Sequence, residues 1–156
     1  MIDTPIRHAT PADVEVVAAS NRAMALETEG KALDGPTVHR GVAALLADPS
    51  KGFYLLAERA GAVVGQLMVT TEWSDWRCGT FWWIQSVYVA PAARRSGVYR
   101  ALYERLLAMA REDSGVCGLR LYVDRANANA QATYAALGMD RAHYDLYEVD
   151  FVFGPP

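Results

Sequence analysis

What most narrows the folds open to this chain is the run 80–90 together with the residues that follow it. Its positions are apolar on both alternating faces, the pattern of a central strand covered on both sides, and Pro91 stops it because proline brings no N–H to a ladder. After Ala92 and Ala93 come Arg94, Arg95, Ser96 and Gly97, then a helical period over 97–112. In that period Val98, Ala101, Leu102, Leu106 and Met109 share one face, while Arg100 and Glu104 pair on the other. The first turn of a helix leaves backbone N–H groups unpaired at the positive end of its dipole, so a strand, a short basic loop and a helix make a ready anion site. Gly97 allows close backbone approach to a phosphate, and Arg94 and Arg95 add charge. The same residues also suit a solvated turn ahead of a helix, and spacing alone leaves both readings open.

The remainder of the chain reads as one unit, 1–156, with no internal repeat or linker. A strand is expected at 6–9. Thr10, Pro11 and Asp13 then form a helix start with the spacing of a capping box, and apolar residues recur at helical spacing to about Glu29. A second helix opens at Pro36, carries Val38, Val42, Leu45 and Leu46 on one face, and stops at Asp48-Pro49. Segments 53–58 and 62–71 flank a turn at Ala60-Gly61 and predict an antiparallel hairpin. Beyond the central strand and its helix follow a strand at 119–124, a helix at 127–137 closed by Gly138, and a strand-rich tail over 141–153. The order β-α-α-β-β-β-α-β-α-β predicts an α/β (α+β) fold, a mixed sheet with helices on both faces.

Composition removes several classes of function. A hydrophobic fraction of 52% with 21% charged residues is that of a globular chain. Fifteen Lys and Arg against 18 Asp and Glu give a net charge of −3, which argues against a nucleic-acid partner. Cys78 and Cys117 lack the spacing of a metal site or a disulfide framework and read as thiols in a reducing compartment. No apolar run is long enough to span a membrane, and the first residues lack the pattern of a signal peptide, so the expected location is the cytoplasm. Motifs of P-loop, dinucleotide-binding, zinc-peptidase and serine-hydrolase chemistry are absent.

Arg94-Arg95-Ser96-Gly97-Val98-Tyr99 resembles the [Q/R]-x-x-G-x-[G/A] motif of the GNAT superfamily of acyl-CoA-dependent N-acyltransferases. Downstream, Asn127-Ala128-Asn129-Ala130-Gln131-Ala132-Thr133-Tyr134-Ala135-Ala136-Leu137-Gly138-Met139 resembles that family's N-x-x-A-x-x-x-Y-x-x-x-G-[F] segment. Each motif alone is weakly specific, whereas the two together in strand–helix–strand–helix order are strong. The resemblance covers essentially the whole chain. It implies a mixed, mostly antiparallel central sheet with helices on both faces and splayed central strands, and acetyl-CoA as co-substrate with no metal. It further implies that the amides of Arg94, Arg95, Ser96, Gly97, Val98 and Tyr99 hold the pyrophosphate. Val87, Tyr88 and Val89 then lie along the pantetheine arm, Val87 and Val89 pairing their backbone with it. Asn127 bonds the same arm and Tyr134 sits near the sulfur as general acid. Tyr99 departs from the family's Gly or Ala, so a side chain must fit where the helix approaches the cofactor. Met139 in place of Phe conserves volume.

For the base, Glu72 at a strand end is the candidate, with Asp75 second and a water relay as the other route; a solvated strand-end charge is the plain alternative. Glu27, Glu29, Glu72 and Asp75 fall in the two segments that flank the acceptor cleft in this fold. Trp73 and Trp76 lie beside them, where carboxylates attract and indoles hold a cationic amine. Of the adjacent Trp82 and Trp83, one must face the core. The expected activity is acetyl transfer from acetyl-CoA to a primary amine of a small molecule or peptide through a ternary complex. A CoA-binding regulatory module without chemistry is the alternative, and pairing through the tail at Tyr147 to Phe153 would make a homodimer. Neither nucleic acid nor membrane is expected as a partner.

Overall fold

The computed structural model describes residues 4–155. Its contacts divide the chain into two compact units, one ending at Tyr122 and one beginning at Val123. In the first unit five strands lie in the order β1-β2-β3-β4-β5. They are β1 (Ile6–His8), β2 (Phe53–Arg59), β3 (Ala62–Ser74), β4 (Gly79–Val89) and β5 (Val116–Leu121). All neighbours are antiparallel except β4 and β5, which run parallel. Three helices belong to the same unit: α1 (Val14–Glu29), α2 (Gly35–Ala47) and α3 (Val98–Glu112).

Alternation along the strands sends side chains to two separate cores. Val17 and Ala18 of α1 and Val42 and Leu45 of α2 pack with Tyr54 and Leu56 of β2 and with Met68 on one face of the sheet. Leu55, Leu67 and Val69 point the other way, toward α3. Gly65 lets α3 come down on that face, because a Cβ there would stand 2.6 Å from Val98 Cγ1. This contact seats the start of α3 beside the end of β4. Trp82 and Trp83 are half-buried on opposite faces, Trp82 edge-on to Phe53 at 5.3 Å and Trp83 stacked on Tyr122 at 4.5 Å.

Local chemistry accounts for the entry to α1. Pro11–Asp13 form a 3-10 turn rather than the first turn of the α-helix. The Thr10 N–H donates to Asp13 Oδ2 at 2.7 Å, and Arg7 grips both Asp13 oxygens at 2.8 and 2.9 Å while its Nε reaches Glu58 at 2.8 Å. One arginine on β1 thereby ties the helix start to β2. At α2 the Asp34 side chain caps the helix by accepting the Thr37 N–H at 2.9 Å.

In the second unit α4 (Ala128–Ala136) is capped by Asn127, whose side chain accepts the Ala130 N–H at 3.0 Å. Gly138, at a φ of +85°, closes the helix end, and Arg125 pairs with Asp145.

Three expectations need correction. β4 is central in pairing yet half-buried over most of its length, with Phe81 and Ile84 its buried large side chains. β5 begins and ends earlier than the pattern at 119–124 suggests, since it extends only where β4 offers a parallel partner. Among the described residues of the tail there is no strand. The Asp150 carboxylate instead accepts the N–H groups of Val152 and Phe153, an Asx-type turn that ends any extended run. Tyr147 and Phe151 are each 94% exposed.

Arg7, with smaller help from Thr10, holds the Asp13 carboxyl down at about 2. A depressed carboxylate contributes stability above its unfolded value near 3.9, and that contribution is lost as pH falls toward about 2. Asp13→Ala should therefore lower stability by about 1–2 kcal/mol at pH 7. The gap between variant and parent in urea unfolding should narrow steadily below about pH 4.

Candidate functional site

The β4–β5 ladder runs from Thr80 opposite Val116 to Ile84 opposite Leu121 and stops, while β4 continues to Val89 against β3 alone. The central strands thus part. On the β3 side Met68 faces Gln85 but Gln66 faces Tyr88, so Ser86 and Val87 together stand opposite Leu67 as a bulge. Ser86 takes a φ of +48°, which a non-glycine residue seldom adopts. The Ala90 N–H donates to the Val64 carbonyl at 2.9 Å, toward β3. By alternation Val87 and Val89 turn their N–H and C=O groups to the opposite side, where β5 has ended. The Val89 carbonyl there accepts Arg94 Nε at 2.9 Å.

This free edge leads into the loop before α3. Gly97 is the N-cap at a φ of +83°, no side chain caps the helix, and a Cβ on Gly97 would meet nothing within 4 Å. The first N–H groups of α3 are therefore open to an anion. Two arginines hold the loop from opposite sides. Arg59, at the end of β2, donates to Ser96 Oγ at 2.6 Å and to the Ser96 carbonyl at 2.9 Å. Ser96 Oγ in turn donates to the Ala93 carbonyl at 2.6 Å. Arg94 reaches Glu27 Oε2 at 2.5 Å near the end of α1, and the Tyr88 hydroxyl donates to Glu27 Oε1 at 3.2 Å. Burial, with the Glu27 charge beside it, pushes the Tyr88 hydroxyl up from its ordinary value. Arg95 takes a φ of +58°, and the Tyr99 ring lies beside that of Tyr103 one turn on, at 6.4 Å.

Beneath the bulge lies a buried polar cluster that the sequence reading did not anticipate. Gln66, only 1% exposed, donates through Nε2 to Asn21 Oδ1 at 2.7 Å and to the Ser86 carbonyl at 3.3 Å. Asn21 Nδ2 donates to the Tyr54 hydroxyl at 3.0 Å. Burial raises the Tyr54 hydroxyl above its ordinary value. Gln66 Oε1 has no hydrogen-bond partner, which costs about 1–3 kcal/mol for a buried amide. The available signal was Gln66 itself, the polar residue inside the apolar run 63–69. Arg59 gave no comparable signal, being one charge near a hairpin turn.

Other candidates fall elsewhere. Glu72 lies opposite Phe81 and pairs with Arg120 at 2.9 Å, while that guanidinium sits 3.6 Å from the Phe81 ring centre. Glu29 is paired with Lys31 at 3.2 Å. Trp73, Asp75 and Trp76 occupy the far tip of the β3–β4 hairpin, where Asp75 accepts the Trp76 N–H at 2.9 Å. The length of β4 puts that tip roughly 30 Å from the loop at 94–99, so these three are not brought together with it. Asn127 and Tyr134 lie in the second unit, where Asn127 caps α4 and burial raises the Tyr134 hydroxyl above its ordinary value. Among the described residues no group of three or more His, Cys, Asp or Glu could hold a metal ion, and no helix is long and apolar enough to cross a membrane.

Gly97→Ala meets open space but must hold a left-handed backbone, so it should cost about 1–2 kcal/mol in urea unfolding. A much larger loss would mean that the side chain meets a steric barrier.

The family model described as "Acetyltransferase (GNAT) family" matches residues 21–139. A solved structure of a possible acetyltransferase from Clostridium difficile 630 is 43% identical with a TM-score of 0.89, covering 96% of this chain and 98% of that one. A predicted acetyltransferase with acetyl-CoA from Clostridium acetobutylicum shares the fold at 16% identity and a TM-score of 0.76, covering 94% and 96%. So does a ribosomal-protein-alanine N-acetyltransferase from Brucella melitensis biovar Abortus 2308, at 19% identity and a TM-score of 0.78, covering 96% and 99%. No curated protein matches.

Proposed function

Since the chain belongs to the acetyltransferase (GNAT) family, and is thereby an acetyl-CoA-dependent acyltransferase, we propose that it acetylates a primary amine of a small molecule or peptide by direct attack in a ternary complex. The observation that carries this reading is the free edge of β4 running into the uncapped start of α3. The two suit an extended amide-bearing arm that ends in a pyrophosphate.

Acetyl-CoA supplies an acetyl group activated as a thioester. The amides of Arg94, Arg95, Ser96, Gly97, Val98 and Tyr99 hold the phosphates, with the Arg59 contacts to Ser96 keeping the loop in shape. Val87 and Val89 on either side of Tyr88 pair with the pantetheine arm as a strand would. A backbone N–H of this strand stabilises charge on the acyl oxygen. Asn127 and Tyr134 enter from the sequence motif: Asn127 bonds the arm, and Tyr134 gives its hydroxyl proton to the departing sulfur. A hydroxyl raised by burial stays protonated at neutral pH, as a general acid must. Glu72 takes the amine proton through water. It lies three ladder positions, roughly 10 Å, from where β4 and β5 part, which is too far for direct transfer. The acceptor rests near the Glu27 and Tyr88 end of α1. The whole chain acts as one catalytic domain.

Acetyl-CoA at 100 times its Kd should stabilise the protein by about 2.7 kcal/mol, a shift of several degrees in a thermal melt. Gly97→Glu should remove that shift while leaving a cooperative melt; a persisting shift would mean the phosphates bind elsewhere. Tyr134→Phe should keep the shift and lose turnover, with the deficit in kcat, in a thiol-release assay across an amine panel. Unchanged kcat in that variant would end the general-acid assignment.

A further inference from the structure

Ser86 is a serine in a left-handed backbone conformation at the point where β4 leaves β5. A strained residue of this kind persists only where its surroundings over-determine it. Here the surroundings can be named. The Gln66 amide holds the Ser86 carbonyl, and Asn21 links Gln66 to the buried Tyr54 hydroxyl. Both hydrogens of the Gln66 amide are engaged, so its orientation is fixed. Its oxygen is left without a partner although the whole side chain is buried. An apolar residue would fill the same space beside Leu56 and Met68 without an orphaned oxygen. The amide therefore serves something other than core packing.

The geometry points to Gln66, braced by Asn21 and Tyr54, as a positioning residue for acyl transfer, holding the Ser86 bulge so that the Val87 N–H on the free edge of β4 is aimed at the acyl oxygen. Val87 is the residue next to Ser86, and its N–H direction follows directly from the peptide unit whose carbonyl Gln66 grips. Donors that stabilise a developing oxyanion act through placement before the reaction, and small displacements are expensive. The inference rests on the acetyl-transfer reading above.

The test uses Gln66→Met, which keeps volume and removes the donor, and Gln66→Met combined with Ser86→Gly. Glycine adopts a positive φ without support, so the second change makes the amide dispensable. Gln66→Met should lower kcat on the order of tenfold to a hundredfold. The affinity for CoA itself, which lacks the acyl oxygen, should change by less than about twofold. Adding Ser86→Gly should recover most of the kcat. Unchanged kcat in Gln66→Met, a matching loss of CoA affinity, or no recovery with glycine would each overturn the assignment and leave a core-packing role. Amide hydrogen exchange without any ligand separates this inference from the reading beneath it. Exchange at 86–88 should quicken in Gln66→Met and slow again with Ser86→Gly. Unaltered exchange there overturns the hold on the bulge. Absent turnover by the parent protein across the amine panel overturns the acetyl-transfer reading, and with it the catalytic use of that hold.

Discussion

A strand's N–H and C=O groups must find partners, and β4 runs out of them on one side after Ile84, where its parallel neighbour ends. The arrangement of the functional region follows from this one-sided shortage. A bulge that bends and twists β4 comes immediately after the last β4–β5 pair, so the parting of the strands is built into the backbone. The free groups that result lie in line with the start of α3, brought to the same end of the sheet by the close packing of Val98 on Gly65. An open strand edge and an open helix terminus are each unsatisfied in isolation. Side by side they are complementary to one extended, anionic ligand.

The charges around this region are more restrained than their number suggests. Glu27 is engaged by Arg94 and Tyr88, and Glu72 by Arg120, so both carboxylates are already compensated. Exposed pairs of this kind add little stability. Their effect is geometric: the Glu27 pair joins the end of α1 to the loop before α3, while Arg59 joins that loop to β2.

Periodicity revealed the helices well because α1, α2 and α3 each bury one stripe against a sheet. The hairpin at Ala60-Gly61 and the strand before Pro91 were legible for the same reason, an apolar pattern interrupted by residues that cannot continue it. The loop at 94–97 was legible because glycine and arginine there have few roles other than a turn or an anion site. Less visible was the tail, whose alternating apolar residues look like a strand although the Asp150 turn bends it. What sequence spacing did not show is how far the hairpin tip with Trp73, Asp75 and Trp76 stands from the loop at 94–99, a separation set by the extended length of β3 and β4.

By itself the sequence determined the main helices, the hairpin and the strand before Pro91, the basic loop and its glycine, and the family, since each depends on residues close together in the chain. Tertiary structure alone decided where β4 abandons β5, that Ser86 adopts a left-handed backbone, and that Gln66, Asn21 and Tyr54 meet beneath it. These features join residues from α1, β2, β3 and β4. A local pattern reports which faces are apolar, but it holds no record of which distant polar side chain will find a given carbonyl once those faces have packed.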